Sequence, residues 1–300
     1  MTQPRHTLAC AAVVAAAVGL LVSGAPAQAA CDPAATPPPG FLLQPGDKIL
    51  FYGDSMSRGH SSRRRADQHF ANLLQFILAE TYCDFSDFTV RALGGNGHSY
   101  RNYARAFDRK LRRIGSDWDW VLFQDTGKAL RADIYESSLQ DTLDKAATTL
   151  PDATVLVATS APLDVPRAKR GWVKHFGRAE DWIPYNATLE TVAASNSIDV
   201  VPWAEDFCSF YSYDPGFDPG DTDPVSDITV DGLHPTPGGE VALAVSLLKY
   251  FGTPKEDLNL IQLVSFNPLI ARPVWEPPLD RIYDGPDWNG PVPASCDFTP

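Results

Sequence analysis

Hydrophobic positions along this chain fall into short continuous runs that alternate with longer stretches of helical spacing. Ile49-Leu50-Phe51-Tyr52 is one such run, cut off by Gly53-Asp54-Ser55, and it predicts a buried strand that delivers Ser55 to a turn at its carboxyl end. From Phe70 to Tyr82, apolar side chains at 70, 73, 74, 77 and 78 predict a helix. Further strands are expected at Phe88–Ala92, Trp118–Gln124, Ala153–Thr159 and Ile198–Val201. Helices are expected at Tyr100–Ile114, which is rich in arginine, at Ala132–Leu150 before Pro151, at Pro184–Ser197 and at Gly239–Phe251.

Strand and helix in alternation imply a mostly parallel central sheet covered on both faces, an α/β protein with a three-layer α/β/α sandwich. Sites in such sheets form at the carboxyl ends of strands, where Ser55 falls. Two regions stand outside the alternation. Residues 202–230 are rich in Asp, Pro, Gly and aromatics and read as a long loop. The tail after Phe251 is Pro-rich, with Trp275 and Trp288, and reads as a wrap over the surface.

The ends divide the chain further. Residues 1–30 read as a secretion signal peptide: Arg5, an apolar run from Leu8 to Val22, then Ala25-Pro26-Ala27-Gln28-Ala29-Ala30. A secreted, extracellular protein is therefore expected. Lipid attachment at Cys31 is the alternative, and Gln28 opposes it by occupying a position where a large aliphatic residue is expected. Residues 31–46 read as a Pro-rich lead-in, 47–252 as a single domain, and 253–300 as a tail packed on it.

Charge and cysteines narrow the partners. The formal net charge is -12, and more negative by one once Arg5 leaves with the leader. Such a chain repels nucleic acid and anionic membranes. No stretch after the leader reaches the roughly 18 apolar residues of a membrane span. A monomer with neither nucleic acid nor a membrane as partner is expected. Cys31, Cys83, Cys208 and Cys296 remain beyond the leader, an even number in an exported chain. Cys83 should lie at the floor of the sheet and Cys208 at its top, which favours Cys31 with Cys83 and Cys208 with Cys296. Each bond would fasten an irregular terminal segment.

Ser55 becomes a candidate nucleophile only if a base and an orienting acid exist elsewhere. Asp231-Gly232-Leu233-His234-Pro235 supplies both, three residues apart on one turn. Asp231 can fix the imidazole tautomer and leave the other His234 nitrogen for the Ser55 proton. Read alone, Asp231-Gly232 is a turn and His234 a cap on the following helix; beside Gly53-Asp54-Ser55 the catalytic reading prevails.

With these motifs, and with Val90-Arg91-Ala92-Leu93-Gly94-Gly95-Asn96-Gly97-His98-Ser99 between them, the chain resembles the GDSL-type (SGNH) hydrolases, secreted bacterial members in particular. The resemblance runs from about Lys48 to Phe251 in the family's order. It implies a flavodoxin-like sheet, a Ser55 acyl-enzyme hydrolysed by water, His234 as base and then acid, and no cofactor or metal. It also implies oxyanion donors at the Ser55 and Gly97 backbone amides and at an asparagine side chain after the third strand. That asparagine is absent. Val121-Leu122-Phe123-Gln124-Asp125-Thr126-Gly127-Lys128 offers Gln124, or the Lys128 ammonium, in its place, and one missing donor typically costs about 100-fold to 1000-fold in rate.

Asp54, Asn96, His98, Asp125, Lys128 and Arg58 are further candidates to line the site. Arg58, His60, Arg63, Arg64 and Arg65 form a cationic run that could pair an anionic substrate group or simply face solvent. Asp214, Asp218, Asp221, Asp223 and Asp227 crowd the loop before Asp231 but fit no standard calcium spacing. Trp172, Trp182, Tyr185, Trp203, Phe210, Tyr211 and Tyr213 could stack on sugar rings or fill the core. With no long apolar lid, a short-acyl or carbohydrate-linked ester is favoured over a long-chain lipid. The rivals are a lipase or phospholipase, acyl transfer to a sugar, and a carbohydrate-binding envelope protein on a decayed hydrolase scaffold.

Overall fold

The computed structural model describes residues 31, 34–58, 69–125, 132–160, 183–213, 234–258 and 282–285. Its frame is a five-stranded, wholly parallel sheet of β1 (Lys48–Gly53), β2 (Thr89–Gly94), β3 (Trp120–Gln124), β4 (Thr154–Ala158) and β5 (Asp199–Val201), in the order β2-β1-β3-β4-β5. Between and after the strands come α1 (Phe70–Thr81), α2 (Tyr100–Ile114), α3 (Ala132–Thr149), α4 (Ile183–Ser195), α5 (Trp203–Tyr213) and α6 (Pro237–Phe251). From β1 the chain turns outward to β2 and then crosses back to β3, so the strand order reverses beside β1. A crevice opens at the carboxyl ends of strands where such a reversal occurs.

Burial follows strand position. Central β1 is apolar on both faces and almost wholly buried, whereas edge strand β2 alternates exposed and half-buried residues at its start. Ile49 and Phe51 join Leu122, Leu156 and Val201 under α1, α5 and α6; Leu50 and Tyr52 join Val121, Phe123 and Val157 under α2, α3 and α4. These are the two filled interfaces of an α/β/α sandwich. α6 is apolar nearly all round and buried from Val241 to Leu248, which makes it the spine of its layer.

Several boundaries differ from expectation, two of them near the site. The region beginning at 202 opens with α5 rather than loop. Pro202 accepts from Asp206 N at 3.0 Å, Thr159 Oγ1 accepts from Ala204 N at 2.8 Å, and Glu205 and Asp206 occupy the first turn, all favourable at a helix start. α6 begins at Pro237, two residues earlier than expected, because Thr236 caps it by accepting from Gly239 N at 3.1 Å.

The terminal segments are anchored. Cys31 is bonded to Cys83. Cys208 is also disulfide-bonded, and its expected partner Cys296 lies outside the described residues. In the lead-in, Phe41 packs edge-on against Tyr82 and Phe85, and Leu42 N donates to Phe251 O at 3.0 Å. In the tail, Ile282 is buried and its carbonyl accepts from Lys249 Nζ at 2.6 Å, while Lys249 also pairs with buried Asp206 at 2.8 Å.

Candidate functional site

Beyond β1 the backbone makes a single helical turn, with Arg58 N donating to Asp54 O at 3.2 Å. The buried Asp54 carboxylate accepts from Met56 N at 2.8 Å, an Asx turn that fixes the entry to this bend. Glycines at the paired ends of β1 and β2 let the bend lie flat on the sheet. A Cβ on Gly53 would stand 2.2 Å from Ser57 Oγ and 2.7 Å from the Gln124 carbonyl oxygen; one on Gly94 would stand 2.2 Å from Asp54 O. Neither position tolerates a side chain without moving backbone.

Ser55 sits on this bend, 5% exposed, and His234 arrives from the segment before α6, 2% exposed. His234 Nε2 lies 2.9 Å from Ser55 Oγ, although the residues are 179 apart in sequence. With the proton on Nδ1, the Ser55 hydroxyl donates to Nε2, and the imidazole can accept that proton as the hydroxyl attacks. Asp231 lies outside the described residues, as do Lys128, His60, Arg63, Arg64, Arg65, Trp172, Trp182, Cys296 and Asp214 to Asp227.

After β2, His98 N donates to Gly95 O at 2.9 Å and Gly95 N to Gly53 O at 3.2 Å. This tight turn puts Gly97 at a φ of 73°, a left-handed conformation that favours glycine. The turn's own bond uses the His98 N–H and leaves that of Gly97 outside it. Asn96 and Gly97 are exposed at the tip and His98 is half-buried, its ring so close to Gly95 that a Cβ there would meet Nδ1 at 2.1 Å.

Gln124 and Asp125 are placed differently from expectation. Both are buried behind the nucleophile bend. The Gln124 carboxamide oxygen accepts from Ser57 Oγ at 3.1 Å, its Nε2 faces Met56 Sδ at 3.8 Å, and its backbone carbonyl accepts from Tyr103 OH at 2.8 Å. Asp125 accepts from Tyr100 N at 2.9 Å, so its carboxylate holds the start of α2. Its own carbonyl accepts from Ser160 Oγ, and Ser160 N donates to buried Asn186 at 2.9 Å. These residues support the site from beneath. Burial first, and then the carboxylates of Asp125 and Asp54, hold the Tyr100 and Tyr103 phenols well above their usual range, so both remain neutral. Arg58 is exposed on the bend, and aromatic Trp203 is core: it is fully buried, edge-on to Phe70. Tyr185 packs edge-on against Tyr135.

Two further residues tie the halves of the site together. His69 Nε2 donates to the Met56 carbonyl at 3.2 Å, while its Nδ1 accepts from Ala71 N at 3.4 Å and caps α1. Burial, opposed by the Met56 carbonyl, lowers its pKa to about 4, so the ring is neutral in ordinary buffers. From the first turn of α6, the buried Glu240 carboxylate accepts from Phe70 N at 2.9 Å. The helix that follows His234 is thereby fastened to the helix whose cap holds the Ser55 bend. Sequence reading missed both residues. The local signals were His69 just ahead of an amphipathic run and an acid in the first turn of α6.

Among the described residues, no group of three or more His, Cys, Asp or Glu is arranged to hold a metal ion, and no helix is long and apolar enough to cross a membrane.

The sequence model of the GDSL-like Lipase/Acylhydrolase family matches residues 51–242, which include Ser55 and His234. No curated protein matches the chain. Among solved structures, LAE5, an α/β hydrolase enzyme from the metagenome of Lake Arreo, Spain, is similar at a TM-score of 0.53 and 18% identity over 73% of this chain and 100% of that one. Axe2, an acetylxylan esterase from Geobacillus stearothermophilus, is similar at a TM-score of 0.53 and 16% identity over 71% of this chain and 97% of that one. At such identities the likeness is one of fold.

Proposed function

The chain belongs to the GDSL-like lipase/acylhydrolase family, and on that premise we propose that it is a secreted serine ester hydrolase working through an acyl-enzyme. The observation that carries this reading is the 2.9 Å approach of His234 Nε2 to Ser55 Oγ. In the proposed cycle Ser55 Oγ attacks the ester carbonyl and its proton passes to His234. Negative charge gathers on the former carbonyl oxygen, where the Ser55 and Gly97 backbone amides serve as donors. As this tetrahedral species collapses, the C–O bond to the alcohol breaks and His234 protonates the leaving oxygen. Water, deprotonated by His234, then attacks the acyl-enzyme; the acid departs and Ser55 regains its proton. Asp231 is assigned the orienting role, accepting from Nδ1. The Gln124 carboxamide, turned toward Ser57 and Met56, acts as a support of the bend rather than a third oxyanion donor.

A short-acyl or carbohydrate-linked ester is the proposed substrate. The absence of a long apolar lid segment from the sequence supports this, and the acetylxylan esterase among the similar folds agrees with it. Secretion rests on residues 1–30 alone. Initial rates on 4-nitrophenyl acetate, butyrate and palmitate test the reading. Acetate should be turned over fastest, and Ser55→Ala and His234→Ala should each lose at least about a thousandfold in kcat. A folded native protein inert on every ester, or an active Ser55→Ala, would overturn it.

A further inference from the structure

α2 begins directly behind the Gly97 turn and runs away from the site, burying Tyr100, Tyr103, Phe107 and Leu111. On the opposite face Arg101, Arg105, Arg109 and Arg112 recur at i, i+4, i+8 and i+11, all exposed. At 3.6 residues per turn they fall within an arc of about 80° and extend for about 16 Å. On the helix flank Lys110 Nζ lies 4.5 Å from the Tyr52 ring centroid. Burial, and then the guanidinium groups of Arg109 and Arg58, lower the Lys110 pKa, which places Arg58 of the nucleophile bend within electrostatic reach of this cluster.

This arrangement is unfavourable for an isolated helix. Like charges at i, i+4 repel, and Arg101 stands in the first turn at the positive end of the helix dipole. A chain of net charge -12 has carboxylates to offset them. Three ion pairs between described residues nevertheless form elsewhere, Lys48 with Asp117, Lys249 with Asp206 and Lys255 with Asp284; a fourth, Lys145 with Asp108, uses the carboxylate of α2 itself, which the Arg112 guanidinium also reaches electrostatically. None of the four stripe arginines, Lys110 or Arg58 is ion-paired among the described residues.

We propose that the outer face of α2 is a docking track for a polyanionic polysaccharide, whose carboxylates pair with Arg101, Arg105 and Arg109 while an O-acyl group on the same chain reaches Ser55. The proposal rests on the esterase reading for what happens at Ser55, but not for the binding. A flexible carboxylate polymer touches one narrow stripe. A duplex or an anionic bilayer presents a broad surface and would bring the acidic remainder of the molecule against like charge. The stripe also has no apolar side chain to insert into a bilayer: Leu42, in the lead-in, is the exposed large hydrophobic among the described residues.

The test is the full mature chain against its Arg101→Gln/Arg105→Gln/Arg109→Gln variant, in which repulsion is relieved and folding should not suffer. Binding to unesterified polygalacturonate is measured at low and high salt, and hydrolysis is followed on acetylated polygalacturonate, acetylated xylan and 4-nitrophenyl acetate. Removing three charge pairs should weaken polygalacturonate binding by about tenfold or more, and salt should abolish the native binding. The KM for the acetylated polyanion should rise correspondingly, with the two neutral esters unchanged. Equal binding by native and variant proteins, or native binding to duplex DNA or phosphatidylserine vesicles as tight as to polygalacturonate, overturns the track. Arginine-dependent binding with no hydrolysis of any ester would sustain the track while refuting the esterase reading; hydrolysis without such binding would do the reverse.

Discussion

His69 should make this protein acid-labile in a window set by its burial. Its Nδ1 accepts from Ala71 N, so protonation would drive two N–H groups together in a buried site, while the bond from Nε2 to Met56 O would persist. The folded pKa is about 4 against an ordinary 6.5. Between these values the unfolded chain binds a proton that the folded chain refuses, so stability rises with pH. Above the ordinary value the contribution is fully present; it is lost as pH falls toward the folded value. Between about pH 7.5 and about pH 5, linkage gives a loss of about 2 kcal/mol from this group. Urea unfolding of the native protein and of His69→Asn at these two pH values isolates the effect, since asparagine can cap the helix without titrating. The native protein should lose about 2 kcal/mol more than the variant over the interval. Equal losses would refute the assignment of a neutral, capping His69.

Gly53→Ala should lower stability by about 2–3 kcal/mol and activity with it, because the new Cβ meets both Ser57 Oγ and the Gln124 backbone oxygen. Adding Ser57→Ala should not restore either, since the backbone contact remains; full recovery in thermal melts and ester assays would contradict this packing. Glu240→Ala leaves the buried Phe70 N–H without its carboxylate and should cost about 2 kcal/mol, whereas Glu240→Gln keeps an acceptor and should cost less. If Glu240 also positions His234 through α6, kcat should fall in the alanine variant with KM little changed, and glutamine should rescue it. Cys31→Ser opens a bond spanning 52 residues and should lower stability by about 2–4 kcal/mol, read as a shift in urea midpoint.

What the sequence made legible is whatever local pattern determines. β1 could be read because a central parallel strand must be apolar on both faces, and Ser55 because a glycine and an aspartate end that strand abruptly. α5 was hidden because its Trp203, Phe207 and Phe210 are poor helix formers followed by a run of Asp, Pro and Gly, yet Pro202 with Glu205 and Asp206 marks a helix start. The third strand begins at Trp120 rather than Trp118, whose indole N–H turns back to Gly115 O at 3.0 Å. His69 and Glu240 act through partners fixed by tertiary packing, the latter 170 positions away, so no motif announces them. From sequence, Gln124 reads as a stand-in oxyanion donor and Asp125 as site-lining; only packing shows Gln124 turned to Ser57 and Met56 and Asp125 to the start of α2. The same holds for α2: its arginines are plain in the sequence, and the lack of a direct ion pair to any of Arg101, Arg105 and Arg109 among the described residues is not.

Catalysis as proposed requires, before anything else, an activated Ser55. Intact-mass analysis of the mature protein after treatment with a serine-directed fluorophosphonate, with Ser55→Ala and His234→Ala alongside, measures that activation without assuming a substrate. A single adduct on the native protein that disappears in Ser55→Ala and is slowed by orders of magnitude in His234→Ala is the predicted result. A folded native protein that forms no adduct, or one that labels equally well without His234, would contradict it.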